Sequence, residues 1–178
     1  MESNKIDFLW KTINRFDGFY NSINNKATAL SAFQFFLISI IGTQYLSLLP
    51  DFATFPKIHV LVAIIIILIA LSSLISLFFS FSVIKPYTKS HYNPKDYFSN
   101  IFFGHICQHA NPVDYIECVK KLDDSIIIED LSKQAHILSQ GLNRKYRYTR
   151  IATLIIIYIQ LELILLLLIV KIILLNQN

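Results

Sequence analysis

The sequence predicts an all-α integral membrane protein with three transmembrane helices and a cytoplasmic helical insert. Its 178 residues are 54% apolar and only 16% charged, with a mean hydropathy of +0.50, whereas a soluble domain carries about 25% charge. Three apolar stretches, 27–49, 60–84 and 151–175, each reach the roughly 20 helical residues that cross about 30 Å of hydrocarbon. In lipid such runs must be helices, because no water is at hand to satisfy free backbone groups. One sizeable polar stretch, 85–150, separates the second run from the third.

Residues 1–26 place Ile6, Leu9, Ile13, Phe16, Tyr20 and Ile23 at 3-4-3-4-3 spacing, the apolar seam of an amphipathic helix. Gly18 lies off that seam and weakens the helix by about 1 kcal/mol relative to Ala. Nothing in 21–25 forces a break, so the helix is expected to run on into the first span. This polar start holds no apolar core of a secretory signal. Pro50 closes the first span, and Pro50–Pro56 has room only for a short outer link. The second span carries Ser72, Ser76 and Ser80 at i, i+4, i+8, with Ser73 beside them, a stripe that lets helices approach closely in lipid. Lys85-Pro86 ends it.

The insert opens with two matching helix starts, Asn93-Pro94-Lys95-Asp96 and Asn111-Pro112-Val113-Asp114. Each sets Asn at the N-cap, Pro at the first position and an acid in the first turn. Short helices are expected over 94–109 and 112–122. A longer one begins near Asp124 or Ser125, with a seam of Ile128, Leu131, Ala135, Leu138, Leu142 and Tyr146. No proline separates it from the third span, so one helix of about 50 residues, or about 75 Å, is expected. It and the N-terminal helix enter the membrane from the same side. Their seams are expected to pack together as a stalk.

The positive residues set the orientation. Lys5, Lys11, Arg15 and Lys26 precede the first span, the outer link has only Lys57, the insert holds ten Lys and Arg, and nothing basic follows Leu175. The positive-inside rule places the N-terminus and residues 85–150 in the cytoplasm and the C-terminus outside.

Chemistry-bearing residues are few. His105 and His109 share a helix face, but Cys107 points elsewhere, and zinc wants three or four ligands. Cys118 and His136 would have to complete such a site, and no metal is expected. With no secretory signal, Cys107 and Cys118 are expected as reduced thiols. The chain has four glycines and lacks Gly-x-Ser-x-Gly, His-Glu-x-x-His and any phosphate-cradling loop, so no enzyme is expected. Asp123-Asp124 and Glu129-Asp130 read as solvated faces or helix-start acids. Glu162 stands near the middle of the third span, beside Gln160 and at a depth comparable to Gln34. An acid there must meet another helix, be neutral, or line water. With Gln34, Ser72, Ser76 and Ser80 it forms the expected membrane or oligomer interface, an intramolecular hydrogen bond being the plainer alternative. Lys171 can snorkel outward. Arg144, Lys145, Arg147 and Arg150 make a basic collar that suits lipid headgroups. With Tyr146, Phe102 and Phe103 to stack on a base, it also suits a small phosphate-bearing ligand.

Several motifs stand in order along the chain: Lys26-Ala27-Thr28-Ala29, Asn100-Ile101-Phe102-Phe103-Gly104-His105-Ile106, Tyr115, Asp130-Leu131, Gln134-Ala135-His136-Ile137-Leu138 and Lys145-Tyr146. In this order and across three spans, the set resembles the transmembrane effectors of Pycsar antiphage systems, from about Trp10 onward. The resemblance implies a partner cyclase that makes a cyclic nucleotide, in Pycsar a cyclic pyrimidine monophosphate, as activating ligand rather than cofactor. It implies a homo-oligomer in the inner membrane whose spans impair membrane integrity, with no nucleic-acid polymer as partner. Carried over as ligand-binding positions are Asn100, Phe103, His105, Gln134, Lys145 and Tyr146, which can equally hold the insert together. Two rival readings stand beside it: a non-catalytic assembly or regulatory subunit of a larger membrane complex, and a lipid-directed enzyme using His105, His109 and Cys118.

Overall fold

The computed structural model describes residues 2–48, 56–86 and 97–175, less a few side chains beside the gaps. The described residues are mostly helical with no strand, as an all-α membrane protein requires. Three helices are long and apolar enough to cross a membrane, within Glu2–Tyr45, Ile58–Ile84 and Asp124–Ile173.

Helix α1 runs unbroken over Glu2–Leu48, so the amphipathic start and the first span are one element. Helix α2 covers Pro56–Ile84. Helix α3 is a single turn, Phe103–Ile106, and α4 spans Pro112–Lys120. Helix α5, Asp124–Ile155, passes through a π-helical turn at Ile156–Gln160 into α6, Leu161–Leu175. The expected long helix is therefore present, but with a widened turn inside the third span that no proline or glycine announces.

The second Asn-Pro start is realised: the Asn111 side chain accepts from the Asp114 backbone N–H at 3.0 Å, with Pro112 next in line. Helix α5 is capped by Asp123, whose Oδ1 accepts from Ile126 N and from the Ser125 hydroxyl, both at 2.8 Å. The Ile126 bond, then that of Ser125, holds this carboxyl below the usual carboxylate range. The first Asn-Pro start, at 93–96, lies outside the described residues. The helix expected to follow it needs correcting. Residues 97–102 are not helical, because the Ser99 hydroxyl accepts from Ile101 N at 3.3 Å and Phe102 N at 3.0 Å and bends the chain into a turn.

The chain divides into two compact units. The first comprises Met1–Ser22 with Pro86–Arg144, and the second Ile23–Lys85 with Lys145–Asn178. In the first unit α1 meets α5 where the Tyr20 hydroxyl donates to the Leu138 carbonyl at 2.8 Å. In the second unit Ile41 from α1, Ile65 and Ile69 from α2, and Leu163, Ile164 and Leu167 from α6 share one apolar core. Val62 anchors a further layer with Tyr45, Ile58, Leu167 and Val170. Near one end of that core the Lys171 ammonium donates to Gln44 Oε1 at 2.7 Å, so it is satisfied within the chain.

Candidate functional site

In the first unit a polar and aromatic cluster forms around Asp130. This residue is 6% exposed, which overturns its reading as part of a solvated helix face. The Tyr97 hydroxyl donates to Asp130 Oδ1, the Asn100 backbone N–H donates to Oδ2 at 2.7 Å, and the Gln134 amide donates to the Tyr97 oxygen at 3.2 Å. Asp130 and Gln134 lie one turn apart on α5, so a single helix face holds down the whole non-helical segment. Burial first, then the bond to Asp130, pushes the Tyr97 phenol up to about 12.

Asn100 is fixed from three sides. Beyond its bond to Asp130, its carbonyl accepts from the Tyr115 hydroxyl at 2.9 Å and its Oδ1 from the Cys118 thiol at 3.1 Å. Tyr115 and Cys118 stand three positions apart on α4 and face the same way. His105 is buried, and its Nδ1 accepts from Ser99 N at 2.8 Å, so the ring proton sits on Nε2. Its ring stacks on Phe98 at 4.9 Å and meets the edges of Tyr97 and Phe102 at 6.2 Å and 5.3 Å. Gly104 permits this packing: a Cβ there would lie 2.6 Å from the Phe102 ring. His109 abuts Phe98 and Tyr115, with its buried Nε2 lacking a hydrogen-bond partner among the described residues.

Beside this cluster lies a cavity of about 230 Å³ lined by Tyr97, Phe98, Asn100, Ile126, Glu129, Asp130 and Lys133. Phe98 is 41% exposed, with its ring stacked on His105. The Lys133 ammonium pairs with Glu129 and sits 4.7 Å above the Tyr97 ring. One aromatic ring, one cation and carboxylate acceptors within a small space suit a planar, polar molecule that brings hydrogen-bond donors.

Of the residues predicted as ligand contacts, Asn100, His105 and Gln134 are brought together, chiefly as the frame of this cavity. Asn100 alone lines it. Phe103 points outward, 69% exposed. Lys145 and Tyr146 belong to the second unit. There the buried Lys145 ammonium donates to Asn24 Oδ1 at 2.9 Å, to the Val83 carbonyl and to the Lys85 carbonyl at 3.3 Å, capping the C-terminal end of α2. Tyr97, Phe98 and Lys133 escaped the sequence reading. Their sole signal was the aromatic run beside Asn100 and a lysine one turn before Ile137 on α5. No group of three or more His, Cys, Asp or Glu side chains suited to a metal occurs among the described residues. Both cysteines are free thiols.

The second unit holds a separate polar layer. Gln34 and Gln160 exchange amide hydrogen bonds, both 3.0 Å, and extend them to Ser76 at 3.1 Å and Ser73 at 3.0 Å. Ser72 Oγ lies 3.5 Å from the Gln160 amide, and Ser80 is buried with its hydroxyl unpartnered among the described residues. Gln34, Ser72, Ser76 and Ser80 are thus buried inside the unit among its own helices, the close packing expected of the serine stripe, rather than on an outward oligomer interface. Glu162 is exposed on its surface.

Residues 8–175 match a family model described as the Pycsar effector protein domain. No curated protein and no solved structure matches the chain.

Proposed function

The chain belongs to the Pycsar effector protein domain family, an antiphage effector type built on a transmembrane domain, and from that premise we propose that it is switched by a cyclic nucleotide bound in the cavity beside Asp130. The family implies a cyclase partner and association with a membrane. The ligand is a cyclic pyrimidine monophosphate. Its base stacks on Phe98, its phosphate meets Lys133, and an exocyclic amine donates to Glu129 or Asp130, as carboxylates do with cytosine N4. The cavity's size, about 230 Å³, favours a single nucleotide over a dinucleotide. Binding occurs in the cytoplasm, and the oligomeric spans then impair the inner membrane without catalysis. A clean switch needs the active arrangement favoured by about 5.5 kcal/mol.

The observation that supports this most is the convergence of Phe98, Glu129, Asp130 and Lys133 on one cavity whose frame is made by the motif residues Asn100, His105 and Gln134. Thermal shift of the full chain in detergent tests it, with cyclic CMP, cyclic UMP, cyclic AMP and cyclic GMP as probes. A pyrimidine ligand is expected to stabilise the protein, and Phe98→Ala to weaken binding by about 1–3 kcal/mol. No shift with any of the four, or an unchanged affinity in both Phe98→Ala and Lys133→Ala, overturns it. The first of these outcomes favours the rival reading as a non-catalytic subunit of a larger complex.

A further inference from the structure

On the lipid-exposed surface of the second unit, α2 and the third span leave a groove of about 400 Å³ walled by Leu68, Leu71 and Ile75 on one side and Tyr158 and Glu162 on the other. Its walls are apolar except for the phenol, the carboxyl and the Ser72 hydroxyl. Tyr158 is 70% exposed, and Glu162 is exposed as well, while Gln160 between them is fully buried. The π-turn at Ile156–Gln160 widens the helix there, so the amide is turned inward while the phenol and the carboxyl share the groove. Glu162 lies about 16 Å along the helix from Ile151, near the middle of the hydrocarbon. A carboxyl facing lipid at that depth is costly, and acyl chains offer it no hydrogen bond. The occupant must therefore be embedded in the membrane, apolar over most of its contact, and bring a donor to this depth.

We propose that the occupant is the same groove of a second copy of this chain. Two copies inserted with one orientation carry Tyr158 and Glu162 at equal depth without any further adjustment. A two-fold axis along the membrane normal then makes the contact self-complementary. The Tyr158 hydroxyl of each copy donates to the Glu162 carboxyl of the other, across the single turn of about 6 Å that separates the two positions. Leu68, Leu71 and Ile75 supply the apolar packing around these bonds. This deepens the membrane-impairing reading by naming the surface through which copies meet.

The test uses the full chain in lipid vesicles without nucleotide, in a Cys107→Ser, Cys118→Ala background. Leu71→Cys, in the groove, is expected to give an oxidised dimer. Phe36→Cys, on an exposed face of α1, is expected to give little. Adding Glu162→Leu or Tyr158→Phe should raise the dimer dissociation constant about tenfold to a hundredfold, since interhelical hydrogen bonds are lost. Glu162→Gln, which keeps an acceptor, should stay within a few-fold of the parent. Equal crosslinking from Phe36→Cys and Leu71→Cys, an unchanged dimer in Glu162→Leu, or monomer throughout overturns the proposal, the last outcome leaving the groove to lipid. Helical circular dichroism of each variant separates misfolding from lost association. Leakage triggered by nucleotide, measured separately, distinguishes the two failures. Leakage retained without this dimer refutes the groove alone, and a dimer without any leakage refutes the membrane-impairing reading.

Discussion

Tyr97 and Lys145 each place a polar group under cover, and each makes a testable commitment. Tyr97→Phe removes the hydroxyl shared by Asp130 and Gln134. It is expected to cost about 1–3 kcal/mol at neutral pH, because a buried acceptor and a buried donor lose their partner. Hydrogen exchange over residues 97–142 of the full chain measures it. The same phenol gives a pH signature. Its pKa stands at about 12 against an ordinary 10. An acid that the fold holds protonated contributes fully below pH 10 and is lost as pH rises from 10 to 12. Tyr97→Phe should flatten the stability profile over that window. Lys145→Met strips three acceptors at the end of α2 and its neighbour of their cation. A loss of about 1–3 kcal/mol in thermal stability without ligand is expected. Unchanged stability together with weakened nucleotide binding would return Lys145 to the ligand.

Among the elements, α4 and the π-turn carry the informative contrasts. Asn111→Ala leaves the Asp114 N–H without its cap and should cost about 1 kcal/mol, read as faster hydrogen exchange in α4. Because α4 supplies Tyr115 and Cys118 to Asn100, the cavity should loosen with it and ligand affinity should fall. Within the third span, Gln160→Leu removes the amide pair with Gln34 and the bond to Ser73. Such bonds between membrane helices are each worth about 0.6–2 kcal/mol. The variant should melt earlier, and the π-turn, no longer needed to aim Gln160, should relax toward regular α-helix. Helical exchange rates around residue 156 check that.

At the scale of the whole molecule, the distribution of Lys and Arg predicts which side of the membrane each polar segment occupies. Cys107 is exposed and suits a direct measurement. A membrane-impermeant maleimide should leave it unlabelled in intact cells and label it once the inner membrane is opened. Labelling in intact cells would reverse the orientation and put the cavity beside Asp130 out of reach of a cytoplasmic messenger.

The sequence by itself determined the helices that are set by hydropathy, caps and the absence of breakers. These are the unbroken α1, the span of α2, the Asn111 start of α4 and the long run from Asp124 to Leu175. Such features depend on neighbours in the chain, so local chemistry is enough to read them. It also carried the family, through motif residues in the right order. Tertiary structure alone decided what those residues do. Asp130 reads as one more acid on a polar helix until Tyr97 and Asn100 arrive from about thirty positions away. Gln34 and the serines read as a packing stripe or an oligomer interface, with no partner named, until Gln160 turns inward to meet them. A buried polar group is defined by the partners that replace its water, and those partners are distant in sequence. Periodicity cannot announce them.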